Sequence, residues 1–152
     1  MQAIVRKYHF YLLTLYQNIL KAQSTIEAKF LRDRNLKVHT RIWKDTPEQI
    51  KNKIFEVITL DDGESPIICY YPNSGYWWLL TSFKILVFER NEVNVIMLSD
   101  IQAVELKKLF DGDVAKQECD AVQLKINGVY IDLKVERRTW TIVFTVIQFI
   151  IK

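Results

Sequence analysis

The segment from residue 122 to residue 135 constrains the fold of this chain more than any other. Apolar and polar residues alternate strictly on both sides of Asn127-Gly128. Asn-Gly is the preferred pair for a two-residue type I′ turn, because both positions adopt positive φ. Alternation with a period of two places the apolar side chains on one face of each strand. The sequence therefore predicts an antiparallel hairpin whose second strand has Val129, Ile131, Leu133 and Val135 in the core and Asp132 and Lys134 outside.

Five further apolar segments, separated by turn residues, precede this hairpin. They lie at residues 66–71, 76–81, 84–90, 93–98 and 101–107, and the turn before the fourth is placed at Asn91-Glu92. With the hairpin they make seven strands. After them Trp140, Val143, Ile147 and Ile151 recur at three- and four-residue spacing, which predicts a helix. The expected class is α+β: a seven-stranded antiparallel sheet or barrel with a C-terminal helix.

The first 60 residues have a different pattern and predict an N-terminal helical region. An apolar stripe through Ile4, Tyr8, Leu12, Leu15, Ile19 and Ile26 predicts a long amphipathic helix over residues 4–30. Such a stripe either packs within its own domain or docks on a partner or a second copy, and we expect internal packing. Residues 31–45 read as a basic connector. A second helix follows, with Thr46 as its cap, Pro47 at its first position and Gln49 completing a capping box. The predicted division is 1–60, helical, and 64–152, mainly strands.

The strand region resembles a known family. The run WWLLTSFKILVFERNEVNVIMLSDIQAVEL, the later INGVYIDLKVE and the apolar helix after them are similar to bacterial pleckstrin-homology-like (PH-like) domains over residues 64–152. The resemblance implies a binding module of seven strands closed by one helix. Lipid-binding members of that family carry several Lys/Arg between their first two strands. Here that loop, residues 70–76, has no basic residue, so we do not expect phosphoinositide binding there.

The sequence shows no set of reactive side chains at a spacing typical of catalysis. His9 and His39 have no carboxylate and nucleophile at motif spacing, and a glycine-rich phosphate loop is missing. The acidic clusters at 61–64 and 111–113 do not continue into a calcium loop and read as turns. Cys69 and Cys119 lack zinc-site spacing, which favours a reduced, cytoplasmic protein. We therefore expect no metal, no cofactor, no small-molecule substrate and no enzyme activity.

Charge and aromatic residues suggest where a partner would bind. Residues 1–55 carry 11 Lys/Arg and 4 Asp/Glu, a net +7, whereas residues 56–152 carry 10 and 14, a net −4. Basic residues mix with aromatics in 29–44, but no nucleic-acid module covers them, so nucleic acid is not an expected partner. Trp77 and Trp78 face opposite sides of a strand; one belongs in the core, and the other stands outside with Tyr76 unless the helical front covers it. The candidate partner-binding residues are Asp111, Asp113, Glu118, Asp120, Tyr76 and Trp77.

The leading hypothesis is a non-catalytic protein–protein interaction module. Similarity to PH-like proteins suggests an immunity-type protein that neutralises a bacterial toxin, with the acidic loops at 61–64 and 111–120 imitating an anionic substrate. The alternative is a peripheral membrane module that uses the basic amphipathic helix. No apolar stretch reaches the roughly 20 residues needed to span a bilayer. The oligomeric state stays open.

Overall fold

Antiparallel strands dominate the chain after residue 40. The computed structural model describes residues 6, 23–33, 37–106 and 119–152. The first sheet has the order β1-β2-β3-β4-β5 and the second the order β6-β7-β8. The strands are β1 (Thr40–Ile42), β2 (Pro66–Asn73), β3 (Tyr76–Thr81), β4 (Lys84–Glu89), β5 (Glu92–Met97), β6 (Ala103–Leu106), β7 (Ala121–Ile126) and β8 (Val129–Lys134). The predicted α+β class and the antiparallel pairing are confirmed.

The described residues include three α-helices and two short 3-10 helices, Trp43–Asp45 and Leu98–Asp100. Residues 23–32 form α1, α2 covers Glu48–Phe55, and α3 covers Trp140–Ile151 as predicted. Ile26 and Phe30 of α1 are buried in the core, so this part of the predicted apolar stripe does pack internally. Ile4, Tyr8, Leu12, Leu15 and Ile19 lie outside the described residues. No described helix is long and apolar enough to cross a membrane.

Two hydrophobic layers lie on opposite faces of the first sheet. One layer joins the first sheet to the second sheet, α1 and α3, and it contains Trp78, Leu80 and Ile85. The other lies between the first sheet and α2, and it contains Ile54, Trp77 and Leu79. We call this second layer the α2 layer. Because β3 is covered on both faces, all six of its residues are buried. A strand covered on both sides reads as a continuous apolar run, which explains the YWWLL sequence.

Long-range hydrogen bonds hold the two sheets together at one corner. The indole N–H of Trp78 donates to the carbonyl of Lys134 at 2.8 Å, and the N–H of Lys134 donates to Tyr76 Oη at 3.1 Å. Next to this seam, the Glu136 carboxylate accepts the backbone N–H groups of residues 38–40 at 2.6–3.1 Å. Thr40 Oγ1 donates to it as well, at 2.6 Å. The end of β8 is therefore tied to both β3 and β1.

Several predictions from the sequence were wrong in detail. The supposed connector contains β1, an eighth strand, which pairs with β2 from Thr40↔Tyr70 to Ile42↔Ile68. Thr46 does not cap α2, because its hydroxyl donates to the Ile42 carbonyl at 3.2 Å. The β4–β5 turn lies one residue earlier than predicted, at Arg90-Asn91, with φ of 53° and 60°. The predicted division into 1–60 and 64–152 stays a prediction, although residues from both parts share one core.

Candidate functional site

The β7–β8 hairpin exposes three consecutive large hydrophobic side chains near its tip. Val129 is 62% exposed, Tyr130 43% and Ile131 41%. Ile126, which pairs with Val129 across the hairpin, is half-buried. Several exposed apolar residues close together lower the solubility of a protein. Natural proteins usually keep them only on a surface that binds a partner. Ile126, Val129 and Ile131 share one face of the hairpin, whereas Tyr130 points to the opposite face beside Lys125. We call Ile126, Val129 and Ile131 the hairpin patch.

The turn that presents this patch is held in place. Asn127 and Gly128 have φ of 51° and 77°, the left-handed conformation that a type I′ turn requires. The N–H of Gly128 donates to Gln102 Oε1 at 3.1 Å. Gln102 also donates its own N–H to the Lys125 carbonyl at 2.8 Å. The tip is thus anchored to the segment before β6, which reduces the conformational entropy lost when a partner binds.

The other face of the hairpin carries Tyr130 and polar side chains. Tyr130 Oη donates to Glu105 Oε1 at 3.2 Å, and Lys125 Nζ lies 5.8 Å from the Tyr130 ring centroid. Nearby, Gln123 Nε2 donates to Asp132 Oδ1 at 3.0 Å. The hairpin therefore presents an apolar patch on one face and an oriented tyrosine with polar neighbours on the other, and both kinds of surface occur at protein–protein interfaces.

Sequence reasoning placed Val129, Ile131, Leu133 and Val135 in the core, and that was half right. Leu133 and Val135 are buried, at 1% and 3% exposure, whereas Val129 and Ile131 are exposed. Alternation predicts correctly which face they share, since Ile131 pairs with the fully buried Leu124. It does not predict how far along β8 that face is covered. In the structure α3 packs chiefly on β6 and β7, so the tip half of β8 stays open.

Tyr76 and Trp77 do not form the exposed aromatic surface that the sequence suggested. Trp77 and Trp78 are each 2% exposed and Tyr76 is 9% exposed. The α2 layer covers Trp77, whose ring stacks on Phe88 with centroids 5.3 Å apart. Burial raises the pKa of Tyr76 to about 12. These side chains stabilise the sheet and present no surface to a partner.

Among the acidic candidates, Asp120 is the one that the structure describes. Its side chain is exposed at the start of β7, and its carbonyl accepts the Val135 N–H at 2.7 Å. Asp111, Asp113 and Glu118 lie outside the described residues, so their part in a binding surface stays a prediction. The membrane alternative rests on the helix at 4–30, most of which also lies outside them.

Cations in the 29–44 region contact other side chains of the same chain. Lys29 lies over the Phe149 ring at 5.1 Å and Lys37 over the Phe30 ring at 4.9 Å. Lys44 pairs with Glu27 at 3.8 Å. These three ammonium groups therefore have partners within the chain, and the expectation about nucleic acid stays a prediction.

Reactive groups are few in the ranges that the structure describes. No cluster of three His, Cys, Asp or Glu residues in these ranges could hold a metal ion. His9 lies outside them, and His39 donates its backbone N–H to Glu136. Burial raises the pKa of the Cys69 thiol to about 12, which outweighs the opposite effect of Arg41. A thiol with so high a pKa is a poor nucleophile at neutral pH.

Comparison with known proteins bears on the fold. No protein-family model matches the sequence, and a comparison with curated proteins gave no match. Among solved structures, a DUF1696 family protein with a pleckstrin-homology domain from Shewanella loihica PV-4 is similar to this chain. The TM-score is 0.54 at 9% sequence identity, over 76% of this chain and 100% of that one. The fold is PH-like. This confirms the resemblance seen in the sequence, and at 9% identity the likeness shows the fold alone.

Proposed function

We propose that this PH-like protein is a non-catalytic module that binds another protein through the hairpin patch. The observation that carries the proposal is the exposure of Val129 and Ile131 on the same face of β8 on which Leu133 is buried. A flexible loop would lose entropy on binding. This hairpin is fixed at its tip by Gln102 and at its base by Trp78, so that cost is small.

The composition of the patch favours a protein partner with an apolar surface. Burying one β-branched side chain contributes roughly 1.5–3 kcal/mol, and the patch offers two that are exposed, Val129 and Ile131.

A more specific form of the proposal is an immunity-type protein of the bacterial cytoplasm that covers the active site of a toxin. Asp120 lies six residues before Ile126, which is roughly 20 Å along β7 at about 3.4 Å per residue. A standard interface of about 800 Å² per partner is about 30 Å across. Asp120 and the hairpin patch therefore fit within one interface, where the carboxylate would attract a basic partner during encounter.

Charged substitutions in the patch test the proposal. Because both side chains are largely exposed, Val129→Asp with Ile131→Asp should cost about 1–2 kcal/mol of stability and leave the protein folded, while weakening partner capture by about tenfold or more. Val57→Asp is the matched control, since Val57 is 47% exposed on the segment after α2. The tagged full chain is expressed in its host, and co-purified proteins are quantified by mass spectrometry.

The two outcomes are distinct. A protein captured by the wild type and by Val57→Asp, but lost with the double variant, supports the proposal. Equal capture by all three forms would show that the hairpin patch is not the binding surface. Liposome co-sedimentation of the same forms tests the membrane alternative, which gains support if the wild type sediments with anionic vesicles and no protein partner depends on the patch.

A further inference from the structure

The strand β5 is an outer strand of the first sheet and is unusually regular. It pairs with β4 at six consecutive positions, from Lys84↔Met97 to Glu89↔Glu92, with no register shift. Its other side has no strand neighbour among the described residues. This edge belongs to a different sheet from the hairpin patch, so the inference below goes beyond the proposed function.

The hydrogen-bonding pattern shows which backbone groups of β5 point outward. A two-residue turn at Arg90-Asn91 makes Glu89 and Glu92 a hydrogen-bonded pair. At the other end the Leu98 N–H donates to the Phe83 carbonyl at 3.0 Å, which gives the same alternation. The N–H and C=O groups of alternate residues therefore face away from β4. These residues are Val93, Val95 and Met97.

None of the usual features that prevent edge pairing is present in β5. Natural edge strands carry lysine, proline or a bulge that blocks a further strand. The segment EVNVIM has a single charge, Glu92, at its first position. Val95 is 54% exposed and Met97 40%, while Val93 is half-buried against the α2 layer. Among the described residues, five of the six outward-facing backbone groups have no partner, beside an apolar strip. The sixth, the Met97 carbonyl, accepts the first bond of the 3-10 turn Leu98–Asp100 and keeps its second lone pair.

We propose that β5 pairs with β5 of a second copy of this chain, antiparallel, about a two-fold axis at Val95. In this register Val95 lies opposite the partner's Val95, and Val93 lies opposite the partner's Met97. All three residues with outward-facing groups then become hydrogen-bonded pairs, which gives six new hydrogen bonds. The edge is self-complementary, because the three residues with outward-facing groups, Val93, Val95 and Met97, are spaced symmetrically about Val95. The two five-stranded sheets become one continuous sheet.

Side chains in this register agree with a second copy as the occupant. On the face that α2 covers, Val95 of one copy lies against Val95 of the other, and Val93 lies against Met97. On the other side Asn94 lies opposite the partner's Ile96, so no like charges face each other.

Sedimentation equilibrium of the purified full chain tests the pairing. The expected result is a dimer whose mass is twice that of one chain. Val95→Lys places two ammonium groups opposite each other on the axis, and it should restore the single-chain mass. Val57→Lys, at a similarly exposed valine outside β5, should remain dimeric. Far-UV circular dichroism checks that each variant is folded.

A charge swap tests the register itself. Val95→Glu alone should also be monomeric, but mixed in equal amounts with Val95→Lys it should form a dimer, because the axis then joins opposite charges. A wild-type chain that stays monomeric, as it would if the edge served a different protein, overturns the proposal. A dimer that survives Val95→Lys also overturns it. Two monomeric variants that do not associate on mixing would overturn the two-fold register at Val95.

Discussion

Trp78 on β3 donates its indole N–H to the main-chain carbonyl of Lys134 on β8 at 2.8 Å, although 56 residues separate the two. The backbone N–H of Lys134 donates to Tyr76 Oη, and Tyr76 lies two positions before Trp78 on β3. Side chains of the first sheet thereby satisfy both outward-facing backbone groups of one residue at the edge of the second sheet. The joint protects the base of β8 from further strand pairing and leaves the exposed hairpin patch at its other end.

Replacing Trp78 by phenylalanine should reduce the free energy of unfolding by more than replacing Trp77 by phenylalanine. Both indoles are 2% exposed, so the loss of buried volume is similar. Trp78→Phe also leaves the Lys134 carbonyl without its donor, which costs roughly 1–3 kcal/mol. Urea denaturation of both variants measures the difference. Equal destabilisation would show that the hydrogen bond contributes nothing beyond packing.

The Glu136 carboxylate should make the protein less stable in acid. Burial alone would raise its pKa, but hydrogen bonds from Thr40 Oγ1 and from the N–H groups of Val38, His39 and Thr40 lower it below its ordinary value. A folded-state pKa below the unfolded value contributes stability above that unfolded value, about 4.3 for glutamate. This contribution is lost as the pH falls through the folded-state pKa.

Glu136→Gln isolates that effect, because it keeps the shape and removes the charge. The wild type should be more stable than the variant near neutral pH, and the difference should shrink as the pH falls below about 4.3. Denaturant melts at several pH values measure the difference. A stability gap that stays constant with pH would mean that ionised Glu136 does not stabilise β1.

Leu133→Ala and Ile131→Ala should have very different effects, although the two residues are on the same face of β8. Leu133 is 1% exposed, and its truncation should reduce stability by roughly 2–5 kcal/mol. Ile131 is 41% exposed, and its truncation should cost about 1 kcal/mol or less. Thermal and urea melts of the two variants decide the question. Similar losses would place Ile131 in the core and remove the basis of the hairpin patch.

Cys69 should resist alkylation in the folded protein. Its thiol is buried and its pKa is raised to about 12, so the reactive thiolate is scarce at neutral pH. A Cys119→Ser background leaves Cys69 as the single thiol of the chain. Mass spectrometry after iodoacetamide treatment should find it unmodified in buffer and modified in denaturant. Rapid modification without denaturant would show that the α2 layer opens readily.

The features that the sequence did not predict correctly share one physical cause. The three-residue β1 has weak strand character of its own, and it forms because the edge of β2 and the Glu136 carboxylate satisfy its backbone groups. Both lie far from it in sequence. In the same way, the sequence indicated that Trp77 and Trp78 face opposite sides. It could not show that a second hydrophobic layer under α2 would bury Trp77 as well.

The sequence by itself determined the local structure of this protein. The Asn127-Gly128 turn, the strand alternation and the helical spacing of 140–151 depend on neighbouring residues, and all three appear in the structure. Only the tertiary structure decided which apolar residues stay in contact with water. Burial depends on which elements cover a face, and α3 covers the second sheet without reaching the tip of β8. Val129 and Leu133 therefore have the same alternation pattern and opposite environments.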